Sequence, residues 1–425
     1  MITLEQKRAL KNILWDIDFI LLILNACLLI VGYAWGVYTD GESVTVMKVI
    51  KSFLLGLSGI LLLRGLKLNY NPIPYPTFLH LVIFFFWVVL ISFLAKNVAF
   101  AIQRSLALFI PLFYLYIVVH TLLLKYEPTV VLLAFIKGFN FVYALPFIGF
   151  LVTGVNLEAS NIYGKNVIFY SNQYGWTSSI FLLTALDIWI LTKPKGLYKM
   201  YLIIFSIIGL YLFFISGNRS SWVSMIFAIM VLIFRLKTIR LDYKIMLLII
   251  PVIATFWMLS IPDSSINNRL TDTENQIETG EQRIEIANAG FAYLNENKIR
   301  WITGAGMFNY EEVMHGRVMS EDYHNSYFEV LFGGGIILFL LFMSFMFFRP
   351  FYYYVKYYST YFTFLPPLVI IPFFESNLTG GQFLFFPWFC LSFLLNIPPG
   401  YKIPSNKKPA HRNMSRYRIT TNHAG

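Results

Sequence analysis

Apolar runs of about twenty residues recur along the whole chain, and a water-soluble core has no place for that many. The runs fall at about 13–36, 45–64, 77–95, 99–124, 129–154, 173–192, 198–216, 220–236, 245–262, 325–348, 359–375 and 381–397. Each is long enough to cross a hydrocarbon layer as a helix. Inside lipid the backbone must satisfy its own hydrogen bonds, which leaves helices or closed barrels, and runs of this length select helices. Only 13% of the 425 residues are charged against 57% hydrophobic, whereas soluble domains carry roughly 25% charged residues. The sequence therefore predicts an all-α polytopic membrane protein of about twelve transmembrane helices.

The net charge of +11 does not point to nucleic acid, because the cations alternate between loops as orientation signals do. One set of loops holds Lys7, Arg8 and Lys11; Arg64 and Lys67; Lys125; Lys193, Lys195 and Lys199; Arg235, Lys237, Arg240 and Lys244; Arg349 and Lys356; and a tail from Lys402 to Arg418. The opposite short loops hold Asp40, Glu42, Glu158 and Glu375. This pattern predicts a multi-pass protein of a plasma membrane with both termini cytoplasmic. The expected divisions are a nine-span bundle over 1–262, an extracytoplasmic loop over 263–324, three last spans over 325–397 and a disordered basic tail over 398–425. The first apolar run has no small-residue cleavage site and reads as a span. Cys27 and Cys390 lie inside spans, with no disulfide framework or metal cluster in prospect.

The long outer loop is expected to contain an amphipathic helix. Thr279-Gly-Glu-Gln282 fits a capping box at its start, and Ile284, Ala287, Phe291 and Leu294 repeat as one apolar stripe. Arg283 lies beside that stripe. A Gly-rich turn, Gly304-Ala-Gly306, follows, and then an acidic stretch from Tyr310 to Asp322.

Three ionisable residues stand at the outer boundary of the membrane on this topology. Arg219 sits in the turn Ser216-Gly-Asn-Arg-Ser-Ser221, Arg283 on the loop helix, and His324 where the loop re-enters lipid. A guanidinium forks onto phosphate oxygens, and a histidine titrates near neutrality and accepts a proton from a hydroxyl. Each also has a plainer reading. His324 could merely anchor a helix end, Arg219 could snorkel, and Arg283 could belong to a solvated face. Arg104, near the outer end of the fourth span, is a further candidate for a phosphate contact. No HExxH, Asp-rich metal motif or Gly-rich Lys-Ser/Thr loop occurs, so no metal or cofactor is expected.

Taken with their order, these pieces resemble the bacterial O-antigen ligase and polysaccharide-polymerase superfamily. Ser216-Gly-Asn-Arg219-Ser-Ser-Trp222 resembles its Ser-Arg turn, and Arg283-Ile284 with Gly304-Ala-Gly306 resembles its loop arginine and G-x-G. His324-Asn325, then nine residues, then Gly335 resembles its His-Asn signature, with Glu329 in register. Leu338 and Phe328 depart from the usual residues. The resemblance implies transfer of a glycan from undecaprenyl diphosphate to an acceptor hydroxyl outside the cytoplasm. His324 would be the general base, with Arg219, Arg283 and Arg104 on the donor diphosphate. Asn325, Glu329 and Gly335 would support the site.

The expected acceptor is another lipid-linked repeat unit, as in a surface-polysaccharide polymerase; a ligase would use lipid A–core instead. A transporter of lipid-linked sugars would concentrate charge at mid-membrane and need little outer loop. A structural protein would tolerate alanine at all three ionisable positions. Implied partners are the lipid-linked glycan, the acceptor and membrane lipid, with no nucleic acid.

Overall fold

A computed structural model describes residues 4–38, scattered positions between 53 and 64, 75–153, 171–235, positions 245 and 249, 273–307, 309–314, 325–348 and 365–371. Helices α1 (Leu4–Leu14), α2 (Ile17–Tyr38), α3 (Tyr75–Ser92), α4 (Val98–Lys125), α5 (Pro128–Thr153), α6 (Ser171–Thr192), α7 (Gly196–Ile215) and α8 (Arg219–Arg235) build the first part. The stretch after α8 supplies α9 (Thr273–Glu296), α10 (Arg300–Thr303) and α11 (Tyr310–Met314), followed by α12 (Ser326–Met343) and α13 (Leu365–Ile370). No strand occurs among the described residues. The stretches Pro128–Val152, Tyr174–Thr192, Gly196–Ile215 and Ser326–Met343 are long and apolar enough to cross a membrane. The spans expected at 45–64, 245–262, 359–375 and 381–397, the tail, and His324 fall wholly or mostly outside the described residues, so the full count of twelve rests on sequence.

Helix α5 is the axis of the bundle. Phe135, Ile136, Phe139, Tyr143 and Phe147 on it are almost wholly buried, and α1, α2, α4, α6 and α7 all pack around it. A polar stitch holds three helices together within this apolar core. Asn140 Nδ2 donates to the Phe181 carbonyl at 3.2 Å and to Thr184 Oγ1 at 2.9 Å, while Tyr201 OH donates to Asn140 Oδ1 at 3.2 Å. Lys137, for which a carboxylate partner or a cavity is a natural expectation, instead holds its ammonium 5.3 Å from the Tyr198 ring centroid.

Two expectations need correction at the start of the chain and in the loop. The first span does not begin at residue 13: the helix breaks at Trp15–Asp16, because Asp16 Oδ1 accepts from the Asp18 amide at 3.0 Å and caps α2. The loop helix begins at Thr273 rather than at Thr279. Thr273-Glu-Asn-Gln276 has the same Thr-x-x-Gln spacing, and the helix runs on through Gly280. Its buried face is Ile286, Ala289, Gly290, Tyr293 and Leu294. The predicted stripe is offset from it, leaving Ile284 62% exposed. The difference arises at Gly290, which counts for nothing in a hydrophobic pattern yet lets Phe332 of α12 press against the α9 backbone.

That contact belongs to a wedge. Helix α12 breaks at Gly335, where φ is 69° and ψ −177°, a conformation closed to residues with a side chain. The turn after α10 packs against the break. The amide of Ala305 donates to the Phe332 carbonyl at 2.9 Å, and Trp87 Nε1 of α3 donates to the Gly334 carbonyl at 3.3 Å. Two carbonyls in the broken stretch of helix are thus satisfied by other elements. Gly304 meets the Gly333–Gly334 backbone with no room for a Cβ. Gly335→Ala is therefore expected to destabilise the protein by about 2–4 kcal/mol, read as a lowered unfolding midpoint in detergent. Gly59→Ala, where a Cβ meets nothing within 4 Å, should leave the midpoint within error or raise it.

Candidate functional site at the outer helix ends

The turn that carries Arg219 is formed by two opposed end signals. Helix α7 stops at Gly217, whose φ of 57° is left-handed. Ser216 N donates to the Leu212 carbonyl at 3.0 Å and Gly217 N to that of Phe214 at 3.2 Å. Helix α8 then starts under an asparagine cap: Asn218 Oδ1 accepts from Ser221 N at 2.8 Å and from Ser220 Oγ at 2.7 Å. Arg219 is the first residue of α8 and is exposed, whereas Ser220 and Ser221 are buried.

Helix α6 closes on this turn at Gly175. A Cβ there would lie 2.6 Å from Asn218 Cβ, 2.9 Å from Ser216 Oγ and 3.1 Å from Ser221 Oγ. The groups that Gly175 meets, Asn218, Ser216 and Ser221, make the contact beside Arg219 a polar one, and the hydroxyls of Thr177, Ser178 and Ser221 are buried without a hydrogen-bond partner among the described residues. Nothing in the sequence marks Gly175. It becomes visible only once α6 and the turn are placed side by side.

The His-Asn pair repeats the same arrangement. Asn325 caps α12, its Oδ1 accepting from Tyr327 N at 2.9 Å and Phe328 N at 3.0 Å. His324 lies outside the described residues; it immediately precedes that cap. Asn325 thus fixes the helix start that His324 adjoins. One residue into the helix, Tyr327 OH donates to the Val369 carbonyl of α13 at 3.0 Å, and α13 packs on both α8 and α6. The start of α12 is in this way tied to the helices that hold the Arg219 turn.

Arg283 is exposed on α9, and α9 packs on α10, α11 and α12. Arg104 belongs to the second turn of α4 by its backbone; its side chain lies outside the described part. Glu329 is fully buried in α12. Gly335 acts through the break and the wedge rather than by making room beside a straight helix. The structure thus joins α12 to α13 at Tyr327, packs α13 on α8 and α6, and joins α9 to α12; among the described side chains it establishes no contact between Arg219 and Arg283.

A polar clasp that sequence reasoning missed joins α9 to α11. Glu312 of α11 accepts from Tyr293 OH at 3.1 Å and from Asn309 Nδ2 at 2.8 Å. Arg300 lies 4.0 Å from the Tyr293 ring centroid and pairs with Glu296. Burial, reinforced by the Glu312 carboxylate, pushes the Tyr293 phenol up to about 12, so it remains a donor throughout the physiological range. Tyr293 and Glu312 of the clasp lie 19 residues apart, and no local pattern pairs them.

Two substitutions test the positioning of these ends. Asn325→Ala should cost about 1 kcal/mol of stability, with Asn325→Asp or Asn325→Ser close to wild type. Gly175→Ala should displace the Arg219 turn, and Asn218→Gly in the same chain should restore much of the loss by removing the opposing Cβ at a cap cost of a few tenths of a kcal/mol. Unfolding midpoints of the four proteins and the double variant decide both.

Comparison with known proteins adds one finding. Residues 204–343, about a third of the chain, match the family model described as O-Antigen ligase. The matched stretch runs from α7 to the end of α12 and contains both asparagine-capped helix starts, Arg219, Arg283, His324 and the wedge. No curated protein matches the chain significantly.

Proposed function

We propose that this chain, similar over residues 204–343 to the O-antigen ligase family, is a membrane glycosyltransferase that moves a glycan from undecaprenyl diphosphate to an acceptor hydroxyl on the extracytoplasmic side. The family match supports the superfamily read from the motifs and the general class of lipid-linked glycan and acceptor. The observation that carries the proposal is the pairing of capped ends: Arg219 follows one asparagine cap and His324 precedes another, and α13 joins the helices they head.

The chemistry follows from those side chains. His324 takes the proton of the acceptor hydroxyl as its oxygen bonds to the anomeric carbon of the donor sugar. The bond from that carbon to the diphosphate oxygen breaks, and the electron pair leaves with the undecaprenyl diphosphate. Arg219 and Arg283 stabilise the departing anion, with Arg104 as a further contact. The positive ends of the two helix dipoles act in the same sense. No metal or organic cofactor enters this scheme.

A repeat-unit polymerase is the preferred form of the reaction, since nothing in the sequence speaks for a lipid A acceptor. The likeness to the O-antigen ligase family favours the ligase alternative, with lipid A–core as acceptor. Purified protein in vesicles, given lipid-linked donor, separates the two. A ladder of glycan lengths with release of lipid diphosphate marks a polymerase, and a single transfer to added lipid A–core marks a ligase. Neither product, with donor moved across the bilayer, would show a transporter.

His324→Ala should lower turnover by about 10²–10⁴ with the unfolding midpoint retained. Arg219→Ala and Arg283→Ala should each cost about 10² or more, and a charge-conserving Lys at either position should recover only part of it. Wild-type turnover should fall on acidification if His324 is the base, because a protonated imidazole cannot accept the hydroxyl proton. Full activity of a folded His324→Ala protein would remove His324 from the mechanism.

A further inference from the structure

Helix α1 takes no part in the proposed transfer, yet its two sides differ sharply. Leu10 and Ile13 are buried, with Ala9 and Leu14 packed against the same core, and α1 docks on α5 through this side. Lys7, Arg8, Lys11 and Asn12 are exposed, and their i, i+1, i+4, i+5 spacing places them on one face. The apolar residues at its ends are also uncovered: Leu4 is 68% exposed and Trp15 76%. A basic face edged by an exposed tryptophan and leucine, beside the first membrane helix, has the make-up of a helix that lies in a lipid headgroup layer.

The surroundings keep that face positive. Asp16 and Asp18, just beyond α1, are neutralised from other helices: Lys125 Nζ lies 3.1 Å and 3.0 Å from their carboxylates, and Arg64 lies 3.6 Å from Asp18. Tyr126 OH also donates to Asp16 at 3.1 Å. Glu127 accepts from Gln6 of α1 at 3.3 Å, and Glu5 is the remaining described acid on α1. The turn between α6 and α7 adds exposed Lys193, Lys195 and Lys199. This turn lies at the same end of the bundle as α1, because α5 and α6 run antiparallel: Asn140 meets Thr184 and Phe147 meets Phe181.

We propose that α1 and the Lys193–Lys199 turn form a docking surface for the phosphate headgroups of anionic phospholipids in the cytoplasmic leaflet. Charge complementarity selects this occupant. Six exposed cations face the region where an anionic leaflet carries its phosphates, and Leu4 and Trp15 have apolar bulk to set among the glycerol and upper acyl groups. The surface is coupled to the bundle, since Leu10 and Ile13 sit on α5 and Asp16 is held by Lys125 at the end of α4. Lipid binding here would therefore brace the inner ends of α4 and α5. The inference rests on the sidedness of the loops and not on the transfer reaction.

The test uses purified full-length protein in neutral detergent micelles, titrated with fluorescent phosphatidylglycerol and, separately, fluorescent phosphatidylcholine. Wild type should bind phosphatidylglycerol preferentially, and this preference should shrink as salt is raised. Lys7→Gln/Arg8→Gln/Lys11→Gln should bind it about tenfold more weakly with an unchanged unfolding midpoint. Undiminished binding by that variant, or equal binding of the two lipids by wild type, overturns the proposal. So does full competition by millimolar inorganic phosphate, which would mark a free-anion site. In a Cys27→Ser/Cys390→Ser background, Asn12→Cys should react with an impermeant maleimide only in inside-out vesicles. Reaction from the outer side overturns the assignment of leaflet, and donor turnover, measured in parallel, bears only on the transferase reading.

Discussion

The close approach of two backbones at the middle of α12 governs how the segment of α9 to α11 sits on the membrane helices. Gly304 lies against Gly333 and Gly334, and Gly335 lies against Ile302 and Thr303. Side chains at these positions would separate the loop from the helix. With none present, the Ala305 amide and the Trp87 indole reach carbonyls in the broken stretch of α12. The loop is thereby held to α3 and α12 together, and α9 is carried in over Phe332 through Gly290. The position of Arg283 on α9 depends on that seating.

A second principle recurs at the two helix starts. Asparagine is well suited to cap a helix, because its carbonyl accepts early amides while its backbone stays extended. Here it stands next to an ionisable residue on each occasion, after Asn218 as Arg219 and before Asn325 as His324. A capped start has little freedom to fray, so Arg219 extends from a fixed point. The positive end of each helix dipole also lies where a diphosphate would be received on the proposed reading. Glycine contributes at the same places by letting neighbours approach, at position 175 beside one cap and at position 335 below the other.

Much of this was legible in the sequence, and the reason is that lipid simplifies the problem. Runs of apolar residues predict helices whose ends agree closely with α3 to α8, because the polar residues that end each run are also the ones that leave the hydrocarbon. The turn at Ser216–Ser221 and the His-Asn pair were visible as motifs, though the capping role of each asparagine was not. The loop resisted for a physical reason. Its buried face includes Gly290 and its clasp joins Tyr293 to Glu312 through an intervening turn, and neither a periodic hydrophobic pattern nor short spacing records such contacts. The break at Trp15 was hidden because an aspartate cap inside an apolar stretch looks like a tolerated charge. Of the candidate residues, sequence placed Asn325 and Gly335 without explaining them; their neighbours in space supply the explanation.

The hydrogen bond from Trp87 to the Gly334 carbonyl spans 247 positions in the chain, and this has a consequence for biogenesis. A chain enters the membrane from its N-terminus, so α3 is in place long before α12 is made. Its indole N–H must wait for the acceptor it will finally use, and the segment that carries α9 to α11 cannot seat until the helix that follows it has inserted. A truncated or stalled chain that ends before α12 would carry the Arg219 turn without the helix start that His324 adjoins, so the two ends proposed to hold the donor and to deprotonate the acceptor are both present only after α12 has been made.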